Sequence, residues 1–103
     1  MASSREYHDF IMDSLSSLEV SSRKMMGEYV LYYREKVIGG IYDNRFLVKS
    51  VDSAVSHMQD VLKVIPYKGA KEMLEVENID DIQFLYELFE AMYDELPEIR
   101  KKR

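Results

Sequence analysis

Histidine is the side chain best suited to moving protons near neutral pH, and the chain has two, His8 and His57. His8 precedes Asp9, but adjacent helix positions do not face each other. His57 and Asp60 share a helix face, yet two ligands do not make a metal site. Surface or capping roles are therefore expected for both. Serines are plentiful, but no Gly-x-Ser-x-Gly elbow presents one as a nucleophile. The glycines, at 27, 39, 40 and 69, form no Gly-rich turn opening a helix, so no phosphate loop is expected. The absence of cysteine excludes disulfides, thiolate metal sites and a Cys nucleophile. These residues compose no recognisable catalytic centre. A non-enzymatic protein without metal or cofactor is expected.

The tyrosines suggest a different chemistry. Tyr29, Tyr32, Tyr33 and Tyr42 fall among Arg34, Lys36, Arg45 and Lys49 in segments that read as strands. Aromatic rings on a sheet with basic neighbours can stack bases, as in single-strand nucleic-acid binders, or hold a small ligand. The alternative is that the rings fill the core and edges of the sheet.

The chain's 103 residues fit one domain with a real core. Its net charge of −5 is unevenly spread. Residues 1–71 carry ten Lys/Arg and nine Asp/Glu, residues 72–99 carry ten acids and no base, and Arg100 to Arg103 form a basic tail. The acidic block argues against direct DNA binding, because nucleic-acid affinity comes mostly from phosphate neutralisation by a basic surface. It suits a solvated helix face or a docking face for a basic partner. Met1 to Arg5 is polar, and no apolar run approaches the ~18 residues of a membrane span, so no membrane association is expected. The lack of cysteine fits a reducing cytoplasm.

Ser3 and Glu6 have capping-box spacing. Tyr7, Phe10, Ile11, Leu15 and Leu18 follow as the buried stripe of a first helix. Residues 19–22 read as a connection. From Ser22 to Ser50, short β-branched and aromatic runs are broken at Arg34-Glu35-Lys36 and at Asp43-Asn44, which indicates consecutive antiparallel strands. Tyr29 to Tyr33 is apolar on both faces, so it should be covered, central or paired. Gly39-Gly40 suggests a bulge or a close backbone approach. Phe46 and Val48 are the expected core side of their strand. Residues 51–64 read as a second helix, capped by Asp52 or Ser53, with Val55, Met58, Val61 and Leu62 inside. Residues 73–76 read as a short edge strand. A third helix, capped by Asn78 or Asp80, carries Ile82, Leu85, Tyr86, Phe89, Met92, Tyr93 and Leu96, and Pro97 ends it. The expected fold is a two-layer α+β sandwich, an antiparallel sheet of 4-5 strands against helices, in the order α-β-β-β-β-α-β-α.

The run Ser22-Arg23-Lys24-Met25-Met26-Gly27-Glu28-Tyr29 resembles the opening motif of the TfoX N-terminal domain family, Ser/Thr-Arg-x-Met-Phe-Gly-Gly-Tyr. Tyr32-Tyr33 with Lys36-Val37 is similar to the family's Tyr-x-Gly-Lys-Val hairpin. Phe46 to Lys49 is similar to its Leu-Tyr-Leu-Lys strand, and Pro66-Tyr67 to its Pro-Phe pair. Met26, Glu28 and Glu35 depart from the pattern, which makes this a divergent single-domain member. The resemblance implies one such domain over residues 1–99, followed by the basic tail at 100–103, with a secretion-chaperone-like fold. It also implies a bacterial, cytoplasmic interaction role in transcription. TfoX/Sxy competence regulators act with the cyclic-AMP receptor protein, which becomes the candidate partner, and a homodimer is a further option. Arg23, Lys24, Met25, Gly27, Tyr29, Lys49 and Pro66 are the motif residues. Arg23 is expected either in an interaction or in an ion pair or backbone contact that pins the first strand beside the acidic final helix.

Overall fold

The computed structural model describes residues 3–25, 27–58, 62–66, 68–77 and 79–96. The element order is α1 (Arg5–Ser14), β1 (Val20–Met25), β2 (Glu28–Tyr33), β3 (Lys36–Ile41), β4 (Phe46–Lys49), α2 (Asp52–His57), β5 (Lys63–Val64), β6 (Met73–Glu75) and α3 (Ile82–Tyr93). The strands form one six-stranded antiparallel sheet in the order β1-β2-β3-β4-β6-β5. The α+β, antiparallel, helix-covered architecture is the expected one. The strand count exceeds the expected 4-5 because β5 takes the end of the expected second helix.

Two turns set the register of the meander. Arg34-Glu35 has φ of 51° and 75°, and Asp43-Asn44 has 53° and 57°. Left-handed residue pairs match the right-handed twist of the flanking strands. Asp and Asn tolerate this conformation, and Tyr42 and Arg45 close their turn with reciprocal backbone hydrogen bonds of 2.9 and 3.0 Å. Arg34 and Glu35 have no such tolerance, and contacts described below hold Arg34 in place.

Alternation then decides what is buried. Tyr29, Leu31 and Tyr33 point to one face, together with Ile41, Phe46, Val48 and Leu74. Ile11 of α1 and Leu15 at its C-cap, Ala54 of α2 and Leu85, Leu88, Phe89 and Met92 of α3 pack on that face. All three helices thus cover the same side. Each large apolar chain of α3 removed from water contributes about 1.5–3 kcal/mol. On the opposite face, Val30, Tyr32, Val37 and Tyr42 are half-buried. Phe46 and Val48 are the core side of β4, as expected, and Leu47 is fully buried on the opposite face.

Several local expectations change. Ser4, not Ser3, caps α1, accepting from the Tyr7 amide at 3.1 Å. Phe10 lies at the margin of the α1 stripe and stays 53% exposed. The segment expected as a connection belongs to β1 from Val20 onward. The second helix stops at His57, and its N-cap is Val51, with no side-chain cap bond. Val55 and Leu62 are exposed, while Ala54 and Met58 face the core. Valines at 51, 55, 61 and 64 make this a weak helix sequence, and Lys63–Val64 instead pairs with β6. That pairing makes β6 an interior strand, not an edge. Asp81, one residue past the expected caps, accepts from the Phe84 amide to start α3. Val61, Asn78, Pro97 and the tail at 100–103 lie outside the described residues.

A polar junction ties the N-terminal segment to two turns. The Glu28 carboxylate accepts from the Ser3 amide (2.9 Å), the Ser3 hydroxyl (2.6 Å) and the Asp43 amide (3.3 Å). Ser3 Oγ accepts from the Asn44 amide at 2.9 Å, and Asn44 Oδ1 from the Ser4 amide at 2.8 Å. This is the structural use of Glu28, one of the positions that departs from the resembled motif. Glu28→Ala leaves the Ser3 hydroxyl and the Asp43 amide without this acceptor at a part-buried site, while the Ser3 amide keeps the Gly27 carbonyl at 3.2 Å. It is expected to cost about 1–3 kcal/mol in urea unfolding, and a loss below about 0.5 kcal/mol would contradict the junction.

Candidate interaction surfaces

The motif residues separate into four places. Arg23, Lys24 and Met25 lie exposed on β1, which is an edge strand. Gly27 sits in the turn that follows, at φ 86°. Tyr29 is buried in the core with the His8 ring stacked on it at 4.0 Å. Lys49 and Pro66 converge on a groove beyond the end of β4.

The register of β1 fixes which of its backbone groups are available. The Arg34 amide donates to the Glu19 carbonyl at 3.0 Å, just outside the ladder. Hydrogen-bonded and non-hydrogen-bonded pairs alternate along an antiparallel ladder. Val20, Ser22 and Lys24 therefore occupy non-hydrogen-bonded positions opposite Tyr33, Leu31 and Tyr29. The N–H and C=O groups of Ser22 and Lys24 point outward from the sheet. Arg23 makes no ion pair among the described residues, which overturns its expected pairing with the final helix.

Arg34 makes that connection instead. Its Nη1 lies 3.1 Å from Glu90 of α3 and its Nε 3.1 Å from Glu19. The Tyr33 hydroxyl donates to the same Glu90 oxygen as Arg34. Burial, then the bond to Glu90, pushes the Tyr33 phenol well above its ordinary range. The Arg34 guanidinium lies 5.2 Å from the Tyr93 ring centre and the Lys36 ammonium 4.1 Å from it. Lys36 also donates to the Tyr93 carbonyl at 3.1 Å, near the negative end of α3. A polar recess of about 330 Å³ opens here between Ser17, Arg34, Tyr86 and Glu90. The arginine that clamps the acidic helix is thus Arg34, at the β2–β3 turn, and not Arg23.

His8 is more connected than expected. Its Nδ1 is 2.9 Å from Asp9 Oδ1, and its Nε2 is 2.8 Å from Ser22 Oγ. Neighbouring side chains on the helix do meet here, because stacking on Tyr29 fixes the imidazole. The Ser-His-Asp order matches that of a hydrolase relay. Asp9, however, is 63% exposed and also faces Arg5 at 3.9 Å. A carboxylate shared with water and a guanidinium supports an imidazolium far less than a buried one does. The array serves to fasten α1 to β1. His57 is exposed, with Nδ1 2.9 Å from the Ser53 carbonyl, as a capping role requires, and Asp60 lies outside the described residues. Among the described residues, no three His, Asp or Glu side chains converge as a metal site. Nor is any described helix long and apolar enough to cross a membrane.

The tyrosine platform is divided by the sheet. Tyr29 and Tyr33 belong to the core beneath the helices, while Tyr32 and Tyr42 lie on the other face.

The described residues thus form an antiparallel sheet with three helices on one side, a basic edge strand and a groove on the far face. No family model matches the chain, and no solved structure does. A 73-residue stretch, 70% of this chain, is 38% identical to an uncharacterized 12.7 kDa protein in the trpE 5′ region of Spirochaeta aurantia. That stretch spans 64% of the relative's length.

Proposed function

We propose that this chain is a non-enzymatic, cytoplasmic protein-interaction domain of TfoX N-terminal-like type, acting in bacterial transcription regulation. One observation carries the reading: β1 is an exposed edge whose Ser22 and Lys24 backbone groups point outward beside Arg23, Lys24 and Met25. An edge of this kind accepts an extended partner segment by strand addition, with main-chain bonds giving affinity and side chains giving selectivity. Two cations and no acid on the strand favour a partner segment that carries carboxylates. The resemblance makes the cyclic-AMP receptor protein the first partner to try.

The test is fluorescence anisotropy of labelled competence-type promoter DNA, titrated with this protein with and without the receptor. A rise only with the receptor present supports a co-regulator working through protein contact. A salt-sensitive rise without it transfers the role to direct nucleic-acid binding, and no rise in either arm removes the competence assignment. Arg23→Ala is expected to melt like the wild type, within about 0.5 kcal/mol, because no described residue pairs with it. It should nevertheless lose the receptor-dependent rise. A substantial loss of stability would restore Arg23 to a structural role.

A further inference from the structure

The β1 edge has a definite open length and a definite side-chain pattern, and together they select what it can accept. The Val20 amide donates to the Leu18 carbonyl at 2.9 Å, so the open stretch begins at Ser22. The outward N–H and C=O groups of Ser22 and Lys24 can each exchange a pair of hydrogen bonds with an antiparallel neighbour. Ser22 reaches His8 of α1 and Lys24 lies opposite the buried Tyr29, so both side chains face the helices. Arg23 and Met25 lie opposite Val30 and Glu28 and face the other side. The two cations are therefore adjacent in sequence but on opposite faces of the strand. Both are exposed, as is Met25. Among the described residues neither cation has a carboxylate within ion-pair distance.

Resting on the strand-addition reading of this edge, we infer that its partner is an antiparallel strand in which an apolar residue is followed directly by two carboxylates. Read from the partner's N-terminus, the apolar residue meets Met25, the first acid Lys24 and the second acid Arg23. Adjacent residues of an extended strand point to opposite faces, so only a consecutive acidic pair engages both cations at once. Acids spaced two apart share a face and leave one cation unmatched. Arg23 and its acid form a non-hydrogen-bonded pair, the type that brings side chains closer. The chain carries −5, so the attraction of an acidic strand comes from this edge and runs against the overall field. A second copy of β1 is disfavoured as the occupant, because it brings further cations and no acid.

The experiment is a ¹⁵N–¹H NMR titration of the full chain with end-capped hexapeptides. Thr-Val-Glu-Glu-Thr-Thr carries the pattern, Thr-Val-Gln-Gln-Thr-Thr lacks its charge, and Thr-Val-Glu-Thr-Glu-Thr spaces the acids. The first is expected to shift the Ser22 and Lys24 amides at low salt. The other two should bind more weakly, the uncharged peptide by about tenfold. Methylating the amide nitrogen of the first Glu, which donates to the Lys24 carbonyl, should abolish the shifts. Methylating that of the second Glu, which points away from the edge, should not. Arg23→Ala/Lys24→Ala is expected to bind the first peptide about tenfold more weakly. Lys49→Ala/Lys71→Ala makes the same change in net charge and should bind it like the wild type. The inference is overturned, with strand addition left standing, if the uncharged or the spaced peptide binds as well as the first. Absence of any shift at Ser22 and Lys24 by about 5 mM peptide, or indifference to methylation of the first Glu, overturns strand addition as well. The titration needs no receptor, so failure of the anisotropy assay is read separately.

Discussion

A protein with alanine at Gly39 is expected to lose its cooperative fold at room temperature. β2 and β3 pair Leu31 with Gly39 but Tyr32 with Val37, so Ile38 is an extra residue in the ladder. The bulge turns Ile38 into the core, where it is fully buried, and rotates the next residue against β4. A Cβ on Gly39 would lie 2.0 Å from the Leu47 carbonyl oxygen and 2.7 Å from Val48 Cα. Both are backbone atoms of a paired strand with Leu47 and Val48 fully buried, so neither can move alone. Overpacking of this kind costs about 1–3 kcal/mol when side chains can yield. Here they cannot, and the cost should approach the whole stability of a domain this size, about 5–15 kcal/mol. Gly40→Ala should be milder, since one of its close neighbours is the movable Tyr42 ring, although the Tyr29 carbonyl lies at 2.6 Å. Circular dichroism and urea unfolding check both. A Gly39→Ala protein within about 1 kcal/mol of wild type would mean that β3 and β4 do not approach as described.

The Gly-Gly pair was readable as an interruption in a strand, and it marks the bulge. The fold was legible wherever side-chain period and turn chemistry agreed. The alternation from Tyr29 to Tyr33, the Asp43-Asn44 turn and the α3 stripe all point to the same sandwich. It was least legible at 51–64, where apolar residues at helical spacing are mostly valines. There, β propensity and pairing with β6 won over the periodicity that suggested helix. Capping-box spacing is local and points Ser3 to Glu6, whereas its partner Glu28 is 25 residues away.

The surfaces were harder to read. Which tyrosines share a face follows from parity, but which face the helices cover depends on long-range packing. Parity alone therefore could not separate Tyr29 and Tyr33 from Tyr32 and Tyr42. The groove joins Lys49 and Pro66 to Lys71 and Tyr42 through strand order, because β6 lies beside β4. A crossover that inserts β6 between β4 and β5 leaves no periodic signal in the chain.

The second large effect is a loss of stability at alkaline pH that disappears in Tyr33→Phe. The Tyr33 phenol is buried beneath α3 and donates to Glu90, which Arg34 also holds. Burial, then the hydrogen bond, holds its pKa far above the unfolded value of 10.0. Between those two values the folded protein keeps the proton that the unfolded chain has released. The unfolded state then binds fewer protons, so stability falls as pH rises. The contribution is fully present below the unfolded pKa and declines above it, by up to about 1.4 kcal/mol per pH unit. Urea unfolding across the alkaline range is expected to show this slope in the wild type and lose it in Tyr33→Phe. Tyrosinate absorbance should show one phenol that ionises only as the protein unfolds. Removing the partner, with Glu90→Ala, is expected to cost about 1–3 kcal/mol at neutral pH, because the Tyr33 hydroxyl loses its acceptor and left-handed Arg34 loses one of its two ion pairs. Glu90→Gln keeps an acceptor but removes the charge, so it should preserve more of the neutral-pH stability while reducing the electrostatic part of the tyrosine shift. If the wild type and Tyr33→Phe share one alkaline profile, the Tyr33–Glu90 contact does not hold strand to helix. The clamp between the β2–β3 turn and α3 would then rest on Arg34 and Lys36 alone.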